Sequence, residues 1–423
     1  MSDATHPLRI RDYRLVWLTR FLSVSATSAL VVVLGAQTYQ VARNAHGMST
    51  AEAAFLLGVL GLAQFIPFLL LTPVAGLLAD KLDRRFVVAA ATGIDLAIAL
   101  ILALANGSGA VSLSLLFALA AAHGAARVFI GPSLSAIVPN VVPAEQLPRA
   151  IAFSSIAWQS AAVIGPALGG FLLARGPSLP YWFGCVALTL GITAMLAIRP
   201  ITRPEVAKEP PLKLIAEGAR FVWHERFLLG CVSLDLFAVL LGGATAMLPA
   251  FAYDVLHVGD EGLGLMRAAP AIGAALVGIW LAISPLRSRV GPKMLWAVVV
   301  YGLATVAFGL SKSFPLSLAG LTVLGAADAI SVFIRNTLIQ LNTPDDKRGR
   351  VSSISGLAIS ASNELGEMQS GLAAALLGPI GAVALGGAAA IVVTALWSVI
   401  FPELRRAKTF APQYREPLKE PVT

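Results

Sequence analysis

The segment Val-Phe-Ile-Gly-Pro-Ser-Leu at 128–134 returns 204 positions later, in altered form, as Val-Phe-Ile-Arg-Asn-Thr-Leu at 332–338. The stretches that follow correspond as well, since Pro-Ala-Glu-Gln-Leu-Pro-Arg at 143–149 matches Pro-Asp-Asp-Lys-Arg-Gly-Arg at 344–350 with an offset of 201. An offset of this size in a chain of 423 residues predicts two halves of similar fold. Repeated halves with a site between them at mid-membrane depth are typical of secondary transporters.

The composition around this repeat is that of a membrane protein. Hydrophobic residues make up 57% of the chain and charged residues 13%, against a charged share of roughly 25% in soluble domains. A soluble globule has no place to bury so much apolar surface, which excludes a disordered chain, a secreted disulfide scaffold and an ordinary cytosolic enzyme. The apolar runs are continuous rather than alternating, which predicts helices that cross a bilayer.

Twelve apolar runs are long enough to span a membrane, which needs about 20 residues. They lie at 15–40, 53–79, 86–105, 111–138, 151–174, 180–198, 227–253, 262–284, 294–311, 315–341, 351–377 and 380–401. The predicted fold class is an all-α integral membrane protein with twelve transmembrane helices in two pseudo-symmetric six-helix bundles. The predicted divisions are a cytosolic N-terminal segment (1–14), an N-terminal bundle (15–198), a cytosolic linker (199–226), a C-terminal bundle (227–401) and a cytosolic tail (402–423).

The basic residues predict the orientation of these helices. With both termini cytosolic, twenty-four of the 31 Lys and Arg residues lie in the termini and inner connections, three in outer loops and four within spans. This asymmetry satisfies the positive-inside rule. It also accounts for the formal charge of +8 without nucleic acid as a partner. We expect a multi-pass protein of the plasma membrane, the inner membrane in bacteria, that functions as a monomer in the lipid bilayer.

The residue types that would indicate an enzyme, a cofactor or a metal are scattered. Cys185 and Cys231 both lie in apolar runs and are expected to be packing residues. The five histidines are too dispersed for a recognisable metal site. A glycine-rich phosphate loop with Lys and Ser or Thr is missing, so ATP is not expected to drive the protein directly. We therefore expect no enzymatic activity and no cofactor, with the proton as coupling ion.

A motif at the end of the second span carries the first family resemblance. Gly76-Leu-Leu-Ala-Asp-Lys-Leu-Asp-Arg-Arg85 resembles the helix 2–3 loop signature of the major facilitator superfamily, with Asp83 in place of the family's second glycine. The resemblance implies a cytosolic gate formed by Gly76, Asp80, Lys81, Arg84 and Arg85, in which an Asp–Arg cluster locks the inner helix ends. A degenerate copy at 284–293 has lost its aspartate to Ser288. The alternative is a plain basic loop.

The fifth span contains Ala161-Ala-Val-Ile-Gly-Pro-Ala-Leu-Gly-Gly170. It resembles the antiporter signature of exporter branches in that superfamily, which implies a hinge or seal at Gly165, Pro166, Gly169 and Gly170. A proline bends a helix, and glycines allow a neighbouring helix to approach closely. A generic kinked helix is the alternative.

Further resemblance narrows the branch. The stretches 253–273 and 336–351, together with the opening Pro7-Leu-Arg-Ile-Arg-Asp-Tyr-Arg-Leu-Val-Trp17, are similar to the twelve-span branch of enterobactin exporters and macrolide efflux proteins. The resemblance covers spans one to twelve and implies export of a small amphipathic molecule, either a siderophore or a drug-like compound.

Ionisable groups within apolar spans are costly and are therefore functional candidates. Span eleven places five polar residues on one helical face, namely Ser360, Asn363, Glu364, Glu367 and Ser370. Two carboxylates three residues apart repel each other, and an apolar environment also disfavours their charge, so this pair is the first candidate for proton coupling. The alternative is a polar stripe that lines a water-filled cavity without exchanging protons.

The remaining intramembrane charges form a second group of candidates. Asp235 and Asp328 are further proton-coupling candidates, and Arg127 and Arg335 are candidates, with Asn363 and Ser360, for lining the substrate cavity. We expect Arg335 either to pair with a carboxylate of span eleven, to hold an anionic substrate, or to extend to the inner interface.

Four other polar residues are expected to have structural rather than transport roles. His123 is more simply a packing or hydrogen-bonding residue than a proton shuttle, and Asp95 is expected to bond a neighbouring helix. Arg20 and Arg267, about five residues inside their predicted spans, are expected to be interfacial anchors.

Together these features predict a proton-coupled exporter that works by alternating access. A facilitator or an importer of a small solute is the alternative within transport. A membrane sensor or scaffold is the alternative from another class, which an appended soluble output domain would favour.

Overall fold

The computed structural model describes residues 6–199, 211–284, 286, 288–344 and 347–412, and within these it leaves aside the side chains of 76, 77, 79–81, 211–215 and 353. The first half consists of α1 (Arg11–Gln40), α2 (Thr50–Lys81), α3 (Arg84–Ser108), α4 (Leu113–Val141), α5 (Leu147–Leu173) and α6 (Leu179–Leu196). A helix of the linker, α7 (Pro211–His224), follows. The second half consists of α8 (Arg226–Leu241), the short α9 (Leu248–Ala250), α10 (Gly259–Ile283), α11 (Val290–Leu310), α12 (Phe314–Leu341), α13 (Arg348–Ile400) and α14 (Pro402–Arg406).

The helices supply twelve passes across the membrane, which confirms the predicted fold class. Eleven helical segments of the described residues are long and apolar enough to span a bilayer. The last of them, α13, has 53 residues and would extend about 80 Å if straight, against about 30 Å of hydrocarbon. It breaks at Gly378 (φ 71°, ψ 167°), which Pro379 follows. The two arms, 348–377 and 379–400, are therefore separate passes.

The seventh pass is not one regular helix. After α8, the chain continues through a 3-10 turn (Ala244–Met247), α9 and a π-helical turn (Phe251–Val255) before α10 begins. A π-helical turn, Val41–Ala45, also extends α1. Both π turns lie at the same end of the bundle, where α1 connects to α2 and the seventh pass connects to α10. We call this the far end, and the opposite end, which carries α7, the linker end.

Small residues let the helices of each half approach closely. A Cβ atom at Gly165 of α5 would lie 2.5 Å from the carbonyl oxygen of Ser25 in α1. A Cβ at Gly124 of α4 would overlap the backbone of Gln64 in α2. Close backbone approach of this kind is how membrane helices gain packing energy when lipid supplies no hydrophobic driving force.

The two halves meet along two helix pairs near the far end. A Cβ at Gly58 of α2 would lie 3.0 Å from the Cα of Gly371 in α13. A Cβ at Gly170 of α5 would lie 2.7 Å from the Cα of Gly264 in α10. The backbones are thus in contact across the interface between the halves.

Polar contacts across the halves reinforce this closure, and Asp254 is their centre. Its carboxylate accepts a hydrogen bond from the Tyr39 hydroxyl, another from Thr50 Oγ1 at 3.0 Å, and pairs with Arg43 Nε at 3.2 Å. Nearby, Gln40 Nε2 donates to Asp260 Oδ1 at 3.0 Å. At the linker end, by contrast, the ion pairs among the described residues join groups of the same half or of the linker helix.

We expect Asp254→Asn to open the far end more often, because the neutral amide loses its ion pair with Arg43. The side chain of Asp254 is 26% exposed, so the closed-to-open ratio should fall by about fivefold, corresponding to about 1 kcal/mol. The measurement is the distance distribution between spin labels at residues 108 and 312, which lie in different halves at the far end.

Glu261→Gln is the matched control. It removes the Arg175–Glu261 pair, in which the two side chains are 47% and 56% exposed, and should change the ratio by less than about twofold. Equal effects of the two variants would contradict a central role for Asp254.

Candidate functional site

A large cavity lies between the halves on the linker side of the far-end contacts. It has two adjoining parts of about 780 Å³ and 630 Å³, which share Arg127, Trp158 and Arg267 in their walls. The larger part touches both halves, and the smaller part is bounded mainly by α1, α4 and α5. The cavity therefore has the size and position expected of a site for a small molecule.

The lining residues indicate where the cavity opens. Leu281, in its wall, is two residues from the end of α10, and Ser135 is six residues from the end of α4, both at the linker end. Glu367, by contrast, is nineteen residues beyond the start of α13, about 28 Å along its axis. The cavity thus extends from the middle of the bundle to the linker end.

An ion pair between the halves crosses this cavity. Arg127 Nη2 of α4 lies 2.5 Å from Glu364 Oε1 of α13, with the two side chains 36% and 10% exposed. The guanidinium carbon lies 5.1 Å from the centre of the Phe68 ring. Arg127 Nε is buried and has no hydrogen-bond partner among the described residues. One donor of the Arg127 guanidinium is therefore unsatisfied in this conformation, while Nη2 is engaged by Glu364.

The other predicted residues of α13 lie close to this pair. Asn363 and Glu367 both line the larger part of the cavity. Glu367 lies against α2, because a Cβ at Gly61 would be 2.6 Å from Glu367 Oε2. Ser360, one turn toward the linker end, is half-buried. The two carboxylates therefore occupy one side of the cavity, one paired with an arginine and the other next to a glycine.

A second ion pair is buried inside the C-terminal half. Arg335 Nη1 lies 2.5 Å from Asp235 Oδ1, and the side chains are 2% and 7% exposed. Arg335 thus pairs with α8, and Arg127 rather than Arg335 contacts the span-eleven carboxylates. Asp328, on the same helix as Arg335, faces the cavity. Of the four candidates for proton coupling, Glu364, Glu367 and Asp328 line the cavity, and Asp235 is engaged by Arg335.

A third buried pair belongs to the N-terminal half. His123 Nδ1 lies 2.8 Å from Asp95 Oδ1, which joins α4 to α3. The expected bond from Asp95 to a neighbouring helix is therefore confirmed. Both residues also contribute to the wall of the smaller part of the cavity.

The expectation that Arg267 is an interfacial anchor is wrong. The residue lines both parts of the cavity, and its Nη1 donates a hydrogen bond of 2.9 Å to the carbonyl oxygen of Thr245. Its helix begins at Gly259 rather than near 262, so Arg267 is eight residues deep, about 12 Å. Arg20 likewise lines the smaller part, where its Nη2 donates to Ser135 Oγ at 3.3 Å.

The structure describes only part of the predicted cytosolic gate, because Gly76, Asp80 and Lys81 are among the positions whose side chains it leaves aside. Arg84 Nη1 donates to the carbonyl oxygen of Ala136 at 3.1 Å, and Arg85 donates to that of Ile198. Asp83, where the family has glycine, caps α3 by accepting the Arg85 backbone N–H at 3.0 Å. Asp83 has φ −64°, so the turn needs no left-handed residue there. In this conformation, Arg84 and Arg85 tie the linker ends of α3, α4 and α6 together.

The glycines of α5 serve two different interfaces. Gly165 faces α1 within the half, as does Gly169, where a Cβ would lie 3.1 Å from Ala29 Cα. Gly170, one residue later, faces α10 of the other half. Pro166 lies between these contacts, and a Cβ at Gly264 would be 2.9 Å from its carbonyl oxygen. The segment thus joins packing within a half to closure between halves.

We expect Gly170→Val to prevent closure of the far end while leaving membrane insertion intact. Overpacking costs about 1–3 kcal/mol, so the closed-to-open ratio should fall by about tenfold or more. Spin-label distances across the far end measure this ratio, and the amount of protein in the membrane reports insertion.

Gly93→Val is the control, because a Cβ at Gly93 of α3 would have nothing within 4 Å. Gly165→Leu should instead weaken packing within the N-terminal half, which lowers its thermal stability. A Gly170→Val protein with wild-type far-end distances would exclude a role for this residue in closure.

For the pair across the cavity, we expect a measurable coupling between Arg127 and Glu364. A double-mutant cycle with Arg127→Gln and Glu364→Gln should give a coupling energy of about 1 kcal/mol in the free energy of unfolding, because each single variant leaves a charge unpaired. The same cycle on Arg175 and Glu261, an exposed pair at 2.9 Å, should give a value close to zero. Indistinguishable couplings for the two pairs would contradict the arrangement.

Comparisons with known proteins agree with this architecture. Residues 16–367 match the family model described as Major Facilitator Superfamily. An enterobactin exporter EntS of Citrobacter koseri is 28% identical over 412 residues, which cover 95% of this chain and 94% of that protein. A crystal structure of a bacterial homolog of the human lysosomal transporter Spinster aligns with a TM-score of 0.68 at 17% identity, over 97% of this chain and 99% of that one. A D-xylose–proton symporter aligns with a TM-score of 0.68 at 13% identity, over 93% and 98% of the two chains.

Proposed function

The chain belongs to the major facilitator superfamily, and from that premise we propose that it is a proton-coupled secondary exporter that moves a small amphipathic molecule by alternating access. The proposal of export rests on its similarity to an enterobactin exporter over 95% of the chain. The position of the superfamily's antiporter-like segment at the interface between the halves is consistent with it.

The observation that carries the proposal is the ion pair between Arg127 and Glu364, which joins the halves across a cavity that is closed at the far end and extends to the linker end. A contact between halves must change when they rock against each other, whereas a contact within one half is preserved. Substrate or proton binding at this pair therefore acts on the same bond that alternating access has to rearrange.

The distribution of basic residues supports a cytosolic linker end, since the connections there carry most of the Lys and Arg residues. Substrate would then reach the cavity from the cytosol or from the adjoining leaflet. We assign the protein to the bacterial inner membrane, with both termini cytosolic and the monomer as the working unit.

The proposed cycle uses the two carboxylates of α13 as proton carriers. A substrate near Arg127 competes with Glu364 for the guanidinium, and the far-end contacts around Asp254 must break to release it to the outside. Protons that arrive from the far end reload Glu364 or Glu367, and the carrier returns empty. Such a step requires protonation to change the relative stability of the two conformations. A neutral Glu364 does so because it no longer forms an ion pair with Arg127.

The cavity wall supports an amphipathic substrate. Trp158 and Phe333 contribute aromatic surface, and Arg127, Asp328 and the two glutamates contribute charge. Aromatic surface together with a few polar groups is typical of sites that bind drug-like molecules. A siderophore or a drug-like compound fits this description.

We expect the Glu364→Gln, Glu367→Gln double variant to lose export driven by a pH gradient while it retains substrate exchange. Glutamine preserves the size and hydrogen bonding of the side chain but cannot bind or release a proton. Substrate exchange at equal pH should persist because it does not require the empty carrier to return. The measurement is uphill transport in proteoliposomes, with enterobactin and ethidium as probes, compared with exchange at equal pH. The gradient-driven rate should fall by about a hundredfold or more, because removing both proton carriers removes the coupling of transport to the pH gradient.

Glu145→Gln serves as the control, because Glu145 is an exposed carboxylate in the turn between α4 and α5. Full gradient-driven export by the double variant would exclude the pair as proton carriers and leave Asp328 as the next candidate facing the cavity. Uptake rather than export of the probes along the same gradient would identify an importer.

A further inference from the structure

The linker helix α7 lies against the beginning of α13 at the linker end. Arg350 Nη1 pairs with Glu217 Oε2 at 2.6 Å. A Cβ at Gly218 would lie 2.9 Å from the Arg350 carbonyl oxygen, so the two backbones are in contact. Val222 of α7 is buried in the core of the C-terminal half. The linker helix is therefore docked on this half by both packing and charge.

The docked helix forms one wall of a separate, basic pocket. The pocket has a volume of about 390 Å³ and is lined by Glu217, Gly218, Arg220, Phe221, His224, Lys347 and Arg350. Three permanent positive charges thus face one carboxylate. The Lys347 ammonium lies 4.4 Å from the centre of the Phe221 ring, which places this charge at the pocket wall. The excess of positive charge favours an anionic ligand.

Two features of the surroundings favour a lipid over a soluble anion. The side chain of Trp223, next to the pocket residues, is 73% exposed, and exposed tryptophans are typical of the membrane–water interface. Lys347 directly precedes α13, which begins at Arg348 and supplies the eleventh pass. The pocket therefore lies at the depth where phospholipid headgroups contact a membrane protein.

We propose that this pocket binds the phosphate headgroup of an anionic phospholipid from the leaflet at the linker end. Arg220 and Arg350 supply planar donors that match phosphate oxygens, and Lys347 supplies a third positive charge. Trp223 packs against the upper part of the acyl chains. The bound lipid connects the linker helix to α13. Glu364 lies on this same helix, sixteen residues beyond its first residue and about 24 Å along its axis.

Lipid retention by the purified full-length protein tests the proposal. Native mass spectrometry with an equal mixture of phosphatidylglycerol and phosphatidylcholine should show preferential retention of phosphatidylglycerol. Lys347→Gln should weaken that retention by about fivefold, the effect of one basic residue near an anionic surface. Arg405→Gln is the matched control, since Arg405 is an exposed arginine of α14 at the same end, and should change retention by less than about twofold.

Glu217→Gln separates lipid binding from a purely structural role of the cluster. The variant loses the Glu217–Arg350 pair, so a structural role predicts a looser pocket and weaker retention. Lipid binding predicts the opposite, because a negative charge that repels the headgroup is removed and Arg350 becomes available to it. We expect phosphatidylglycerol retention to rise by about threefold to fivefold.

Three outcomes would overturn the proposal. Equal losses for Lys347→Gln and Arg405→Gln would show that lipid is held by the general positive charge of this end. Weaker retention by Glu217→Gln would assign the cluster to structure alone. Inorganic phosphate that raises the melting temperature of the wild-type protein as much as phosphatidylglycerol does would identify a soluble phosphate as the ligand.

Discussion

A charge within the hydrocarbon region must find an opposite charge or a water-filled cavity, and the organisation of this protein follows from how its charges meet that requirement. Asp95 with His123 and Asp235 with Arg335 are each paired inside one half. Arg127 and Glu364 are paired across the two halves. The first two pairs need not break when the halves rock against each other, so they keep helices within each half in register. Under the proposed alternating access, the third cannot stay unchanged, because its partners belong to different halves.

The same distinction applies to helix packing. Gly165 and Gly170 are five residues apart in α5, and each allows a backbone to approach so closely that a side chain would not fit. Gly165 faces α1 within its own half and Gly170 faces α10 of the other half. Pro166, between the two glycines, has no backbone N–H to donate. The helix can therefore bend between its contact with α1 and its contact with α10. Under the proposed alternating access, the Gly165 contact within a half would persist and the Gly170 contact between halves would separate, which is what a hinge requires.

The one-dimensional pattern predicts the number and depth of the helices better than their partners. Apolar runs and the repeat predicted twelve passes in two halves, and the break of α13 at Gly378 falls between the predicted runs 351–377 and 380–401. The predicted depth of Arg267 was wrong because α10 begins within the polar sequence Gly259-Asp-Glu261, which apolarity alone does not identify as helical. The interaction partners of the intramembrane charges were harder still to predict. Helical spacing places Arg335 on a face of its helix, but which helix lies opposite depends on tertiary packing, and the structure places Asp235 there.

The cavity as a whole has a charge balance that bears on proton coupling. Its described walls contain three arginines (Arg20, Arg127, Arg267) and four carboxylates (Asp95, Asp328, Glu364, Glu367), with His123 as a further titratable group. With every carboxylate ionised and the histidine neutral, the walls carry one net negative charge, and a single bound proton makes them neutral. A neutral cavity loses least solvation when the halves close around it. Under the proposed antiport, a cationic substrate can replace that proton without changing the net charge. An anionic substrate would leave two net negative charges in the closed cavity unless protons remain bound with it. Under the proposed antiport, the number of protons exchanged per molecule should therefore depend on the charge of the substrate, and the release of Arg127 from Glu364 would be the step at which that dependence arises.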